Sequence, residues 1–351
     1  MTIAARNLAP PRVRLVVGGA ELGDWASFDI ESDLLQPADA FTFVAPNING
    51  AMAGKVNQMD DVVVTVDDVV QMRGFVDSVQ YANGQVQISG RDLFGHLVDC
   101  SAPPKSYRRV YLDVLAAKLS APWDIAWQVD GVALKQHRWV KIEPGESCMD
   151  AIVRLAKVDR VLVWLDAQGV GHIGRPDYDQ LPKHVLRRYK GTDPMSELNN
   201  VLEDGAEVSE DGRDRFSTIT VLGSSGNSGS QWGKTALQNQ SSTDAEVVST
   251  RTLILTDGDV KSISACKQKA EDEVERRAFE SVVIRYTTAG FYGEEASGQE
   301  PSMWAIDTRA AVTDQIAGLD GVYYVTKRNF QLELGQGHVT ALELHQGGWL
   351  A

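Results

Sequence analysis

The sequence predicts a mainly β protein in which two strand-rich parts flank a small α+β module. Three observations carry that reading. Asn83-Gly84 sits between two alternating runs, Phe75 to Tyr81 and Val86 to Ser89, and Asn-Gly favours the paired positive φ values of a type I′ hairpin turn. Short alternating runs separated by Gly, Asn, Pro or Asp fill residues 1–100 and return after residue 179. Between them, from Pro103-Pro104 onward, apolar residues fall at helical rather than strand spacing.

In chain order, strands are expected at Arg12 to Val17, Trp25 to Ile30, Phe41 to Val44, Asp61 to Val66, Val69 to Tyr81 and Gln85 to Ser89, a spacing suited to a small antiparallel barrel or sandwich. Paired acids, Asp60-Asp61 and Asp67-Asp68, bracket the run Val62 to Val66; they read as tight turns rather than as carboxylates paired for acid–base work. Gly90-Arg91-Asp92 ends the last of these strands, and Leu93, Phe94, Leu97 and Val98 follow at short-helix spacing. In 101–178, Tyr111, Val114, Leu115 and Leu119 mark a helix that stops before Pro122, followed by a strand from Trp123 to Val129. A second helix starts at Ser147, with Asp150 placed as in a capping box, and a hairpin of Val161 to Leu165 and Gly171 to Ile173 closes the module.

After 179 the strands resume. Phe216 to Leu222 alternates, residues 223–247 are rich in Gly, Ser, Asn and Gln and predict a long loop, and 259–280 predicts a helix with a small-residue face of Cys266, Ala270, Val274 and Ala278. Further strands are expected at Ser281 to Thr288, Ala305 to Asp307, Val322 to Lys327, Gln331 to Leu334 and Val339 to His345. The domain boundaries that follow are 1–100, 101–178, 179–222 with 281–351, and an insertion at 223–280. The order resembles a loose duplication, although no residue-level repeat is visible.

Composition narrows the function. A chain of 351 residues suggests two to four domains, and no run approaches the ~18 apolar residues of a membrane span. The N-terminus lacks the basic and apolar regions of a signal peptide, so synthesis in a cytoplasm is expected. Cys100, Cys148 and Cys266 are too far apart for a zinc knuckle or a disulfide framework. The net charge is −14; residues 1–100 carry 13 acids against 6 bases, 101–178 carry 9 against 11, and 179–351 carry 26 against 17. Acidic outer parts argue against sequence-independent binding of nucleic acid, which needs cations to displace counterions.

Catalytic signals are weak. Ser228 to Thr235 ends in Gly-Lys-Thr, but Ser228 stands where a phosphate-binding loop needs its first glycine, and no helix pattern follows. His96, His137, His172, His184, His338 and His345 show no metal-ligand spacing, and no nucleophile-elbow motif occurs. Trp123, Trp127, Trp139, Trp164 and Trp304 lie in or beside predicted strands, where packing explains them better than sugar stacking.

The segment GRDLFGHLVDC at 90–100, following its hairpin, resembles the end of the first β-domain in the baseplate hub proteins of Mu-like phage tails. The helix–strand pairs Val110 to Leu119 and Ser147 to Trp164, the charged helix Glu273 to Ala278 leading to Val282 to Tyr286, and the stretches Gly293 to Asp307 and Gly321 to Lys327 fall in the same family order. The resemblance covers most of 12–346 and is weaker in 223–258. It implies a mainly β fold with α+β, in which two similar antiparallel β-barrel domains flank a small α+β domain, plus an inserted loop and helix region. It further implies a non-enzymatic virion protein, assembled in the host cytoplasm as a homotrimeric pseudo-sixfold ring. Implied partners are the tail tube protein, a central spike or tip protein and other baseplate proteins, with no cofactor, metal or stable membrane insertion. DNA would pass without specific binding through an acidic channel, with Asp60, Asp61, Asp67, Asp68, Glu203 and Asp204 as candidate lumen-facing acids. The alternatives are a tail-associated peptidoglycan hydrolase and a carbohydrate-binding receptor protein.

Overall fold

The computed structural model describes residues 10–176, 178–191, 199–224, 237–258, 260–333 and 337–347. The first part supplies β1 (Val13–Val17), β2 (Ala20–Leu22), β3 (Ser27–Asp33), β4 (Ala40–Pro46), β5 (Asp61–Val66), β6 (Val69–Ala82), β7 (Gln85–Asp92) and the short helix α1 (Phe94–Asp99). The strands lie side by side as β3-β4-β7-β6-β5-β1-β2, every pair antiparallel. Strict alternation puts Phe28 and Ile30, Phe41 and Phe43, Val62, Val64 and Val66, and Val86 and Ile88 on one buried face. Two of the predicted turns form, whereas Asp60-Asp61 makes none, since Asp61 already opens β5. Asn83 (φ 51°) and Gly84 (φ 74°) link β6 to β7, and Asp67 (φ 47°) and Asp68 (φ 66°) make the tight Asp-Asp turn between β5 and β6.

The middle part contains β8 (Ser106–Val110), α2 (Leu112–Ser120), β9 (Ala126–Asp130), β10 (His137–Lys141), α3 (Cys148–Asp159), β11 (Leu162–Leu165) and β12 (Val170–Gly174). Strand β12 pairs antiparallel with β11 and parallel with β9, while β8 and β10 form a separate two-stranded ribbon. Leu112, Leu115, Ile152, Leu155 and Ile173 pack into one core with Phe94 and Leu97 of α1. The Ser147 hydroxyl accepts the Asp150 N–H at 2.9 Å and so caps α3 as expected.

The remaining elements are β13 (His184–Arg188), β14 (Ala206–Glu210), β15 (Thr218–Ser224), β16 (Leu237–Thr243), β17 (Thr252–Asp257), α4 (Ile263–Ser281), β18 (Val282–Ala289), β19 (Tyr292–Gly293), β20 (Ser302–Met303), β21 (Thr308–Asp314), β22 (Leu319–Glu333) and β23 (Gly337–Gln346). The chain divides into two compact units, Met1–Ala206 with Arg285–Leu344, and Glu207–Ile284 with His345–Leu350. In the second unit β15 lies between β16, antiparallel, and β17, parallel. There Val221 packs on Cys266 and Ala270 of α4, so part of the predicted small-residue face is buried. A Cβ on Gly223 would stand 2.3 Å from the Val260 carbonyl oxygen, which fixes that position as glycine.

Several expectations change. Trp123 lies in a 3-10 turn and its strand starts at Ala126, and the strands expected at Val322–Lys327 and Gln331–Leu334 are one, β22. The loop predicted over 223–247 contains β16, whose polar side chains hide a strand held by its ladder to β15. The strand expected at Ala305–Asp307 instead begins at Thr308, because Asp307 takes a positive φ of 56°.

The second strand set lies in the order β14-β18-β23-β22-β21-β13, matching β3-β4-β7-β6-β5-β1 element for element. The two orders are the same permutation of chain order, so the duplication absent from the residues is present in the topology. One difference is that β1 pairs antiparallel with β5 whereas β13 pairs parallel with β21. Among the described strands the two sets belong to one branched sheet, because β22 pairs with β21 and also with β3, the latter over Lys327–Leu332 and Phe28–Asp33.

Candidate functional site

The Gly90-Arg91-Asp92 segment ends β7 at a place where backbone meets backbone. A Cβ on Gly90 would stand 2.1 Å from the Phe75 carbonyl oxygen and 2.4 Å from Phe41 Cζ, and one on Gly74 would stand 1.9 Å from the Arg91 carbonyl oxygen. Only hydrogen fits at either position. Arg91 donates through Nε and Nη2 to both oxygens of Asp77, at 2.7 and 2.8 Å, and through Nη1 and Nη2 to Asp99, at 3.0 and 2.5 Å. Its guanidinium also lies 5.7 Å from the Phe75 ring centre. One side chain therefore clasps β6, β7 and the end of α1 together. Arg91 in turn holds the Asp99 carboxyl below the usual carboxylate range.

Asp92 is buried and bonded on both oxygens. Oδ1 accepts the Phe94 N–H at 2.9 Å, an Asx-type turn into α1, and Oδ2 accepts the Asp39 N–H at 3.0 Å. Burial pushes the Asp92 carboxyl well up, and the neighbouring Asp39 adds to the shift. Asp39 accepts the Asp33 N–H at 2.8 Å, and burial pushes its own carboxyl up to about 7. Close by, buried Arg328 of β22 donates to Gln71 Oε1 and Ser32 Oγ, both at 2.7 Å, and lies 4.0 Å from the Phe330 ring centre. Burial lowers this guanidinium to about 10. Ser32, Asp39, Gln71, Asp92 and Arg328 line part of a cavity of about 610 Å³. The set joins residues of β3, β6, β7 and β22, so it sits where the two strand sets meet.

The candidate acids are not brought to one place. Asp60 lies in the loop before β5 and accepts two bonds from Asn57, while Asp61 opens the strand and is exposed. Asp67 and Asp68, exposed at the far end of β5, are roughly 20 Å away at ~3.3 Å per residue. Asp67 accepts the Arg12 N–H and the Tyr292 hydroxyl, each at 2.8 Å, and Asp68 pairs with Arg14 at 3.1 Å. Glu203 and Asp204 are exposed in a single 3-10 turn before β14.

The remaining motifs divide between core and periphery. Residues 228–235, with their Gly-Lys-Thr ending, lie outside the described residues. His96 stacks between Phe75 (3.8 Å) and Trp123 (5.5 Å), and His184 is buried against Trp304 at 4.1 Å, where burial lowers its pKa to about 4. Among the described residues no group of three or more His, Cys, Asp or Glu is placed to hold a metal ion. Trp127 stacks on Phe94 and donates to Ser120 Oγ at 2.8 Å, Trp304 is buried, and Trp139 is 53% exposed. The three cysteines are free thiols.

Sequence reasoning missed the Asp39–Arg328 set. A signal existed in β22, where Arg328 shares the alternation phase of Tyr324, Thr326 and Phe330, all buried.

Comparison with known proteins gives two family matches. Residues 12–92 match the N-terminal domain of the Mu phage baseplate assembly protein GpP-like family, and residues 94–175 match the second domain of the baseplate hub protein gp44-like family. Among solved structures, the tail protein from Neisseria meningitidis MC58 is 26% identical over 97% of both chains, with a TM-score of 0.81. The 43 kDa tail protein of prophage MuSo2 from Shewanella oneidensis is 23% identical over 95% of this chain and 97% of that one, with a TM-score of 0.79. The prophage tail protein gp18 from Listeria monocytogenes EGD-e shares the fold at 10% identity, with a TM-score of 0.60 over 96% of this chain and 94% of that one. A search of curated protein sequences returns no match.

Proposed function

We propose, for a chain that belongs to the Mu-like phage baseplate hub family, that three copies close into a pseudo-sixfold ring at the centre of the baseplate. As a member of that family it is a component of the phage tail and so of the virion. In our reading each copy contributes two matched strand sets, so the ring offers six similar contacts to the sixfold tail tube and a threefold seat to a central spike or tip. The role is structural and non-enzymatic. DNA passes through an acidic channel without specific binding, because like charges repel it.

The observation that carries this reading is the repeated strand order, β3-β4-β7-β6-β5-β1 and β14-β18-β23-β22-β21-β13, within one chain. A chain holding two similar modules gives six-part geometry from three copies, and a heterologous contact closes into a ring when its rotation closes. Exposure of Asp61, Asp67, Asp68, Glu203 and Asp204 suits a channel lining, whereas Asp60 is half-buried and engaged in its own turn.

Mass measurement in solution with negative-stain imaging tests the reading. The expected result is a three-copy particle with a central hole. A single-copy mass with clear hits on a glycan array would favour a receptor protein instead, and clearing of a peptidoglycan suspension would favour a hydrolase.

A further inference from the structure

We infer that the two-stranded ribbon of β8 and β10 is a docking surface for an anionic lipid bilayer, which it meets at the headgroup phosphates without any segment crossing. The inference goes beyond the ring reading above and does not depend on it.

Charge is unevenly spread along the chain. Against a net charge of −14, residues 105–110 and 135–141 hold six cations, Lys105, Arg108, Arg109, Lys135, Arg138 and Lys141, and no acid. All six are exposed. Lys141 pairs with Glu143 at 2.9 Å, but both side chains stand open to water, so that pair holds the cation only weakly. Among the described residues the other five have no carboxylate within ion-pair distance. The ribbon is thus a cationic island on an acidic molecule.

The ladder fixes which side chains share its outer face. β8 and β10 pair with each other and, among the described strands, with no other. Trp139 lies opposite Arg108 and Lys141 opposite Ser106, while the pair between them joins buried Val140 to half-buried Tyr107. Alternation therefore turns Trp139, Arg108 and Lys141 away from the core of the middle part. Trp139 is 53% exposed, and the Arg108 guanidinium lies 4.8 Å from its ring centre. Lys118 of α2 adds another exposed cation beside the ribbon, 5.7 Å from the Tyr107 ring centre.

An exposed indole among unpaired cations suits the boundary between water and acyl chains. There an indole rests at headgroup level, its apolar body toward the lipid and its polar edge wet. Lys and Arg close to an anionic leaflet gain from its negative surface potential, which fades within a Debye length. Single-stranded nucleic acid offers the same phosphates, but it grips an aromatic ring by stacking a base on the ring face. Arg108 already covers that face of Trp139. The acidic remainder of the chain also repels a long polyanion lying along it, whereas a bilayer touches only the surface turned toward it.

Flotation of the full chain with lipid vesicles tests the inference. Vesicles of phosphatidylglycerol and phosphatidylcholine are expected to carry the chain up a density gradient at low salt, and vesicles of phosphatidylcholine alone to leave it behind. Arg108→Glu combined with Arg138→Glu should weaken partition onto the anionic vesicles at least about tenfold. Lys55→Glu combined with Lys267→Glu makes the same change in net charge at two other exposed positions, and should weaken it less than about twofold. If the ribbon variant does not fold, amide exchange on the unmodified chain decides: residues 106–110 and 137–141 should exchange at least about tenfold more slowly on anionic vesicles than in solution. Three results would each overturn the inference: no flotation with anionic vesicles, equal losses in the two paired variants, or retention of an oligothymidine strand by a chain that ignores the vesicles. None of them bears on the copy number that tests the ring reading.

Discussion

Gly90→Val is expected to lower the free energy of unfolding by at least about 3 kcal/mol, read as a shift of the urea midpoint. The new side chain would meet the Phe75 carbonyl oxygen and the Phe41 ring, neither of which can withdraw freely. Phe75 belongs to the β6–β7 ladder, in which Val76 sits opposite Gly90, and Phe41 is buried in the first core. The neighbouring clasp of Arg91 on Asp77 and Asp99 depends on the same close approach of the strands. Gly212→Ala supplies the control: no atom stands within 4 Å of the added carbon and no positive φ is required, so the midpoint should stay nearly still. Equal midpoints for the two variants would contradict the packing described for this junction.

Asp39→Asn is expected to reduce a pH dependence of stability that the unaltered chain shows between about pH 4 and pH 7, leaving the part that Asp92 contributes. The folded Asp39 carboxyl is raised to about 7 by burial, so the folded chain binds a proton that the unfolded chain has already lost. The stability from that proton is therefore fully present below the unfolded carboxyl's ordinary range and is lost as pH rises through about 7. Asp39 is half-buried, and solvent screening trims the effect to about 1–2 kcal/mol. Urea midpoints collected from pH 4 to pH 8 should converge for the two chains at the acidic end, with the variant the more stable at the alkaline end. Parallel curves would show that the Asp39 carboxyl is not shielded from water beside Asp92 and Arg328 in solution.

Much of the architecture was legible because local rules and tertiary structure agree in it. Asn83-Gly84 and Asp67-Asp68 are turns by backbone chemistry alone, and Ser147 caps its helix through one local hydrogen bond. Strands with one buried face, such as β4 and β5, announce themselves by alternation. What stayed hidden depends on partners distant in sequence. β16 is a run of Gln, Asn, Ser and Thr that becomes a strand through its pairing with β15, and β21 was displaced by the positive φ of Asp307. Arg328 meets Ser32 and Gln71 across 296 and 257 residues of chain, so the local pattern in β22 that marks it as buried could not name its partners. The duplication is a third case: it lives in strand order, which side-chain identity need not preserve.

The most direct test of the claim that one chain supplies two equivalent modules is electron cryomicroscopy of the assembled particle, reconstructed without imposed sixfold symmetry. The account predicts that the set β3-β4-β7-β6-β5-β1 falls on the set β14-β18-β23-β22-β21-β13 after a rotation of about 60° around the ring axis. A different rotation, or a particle whose copy number is not three, would contradict it.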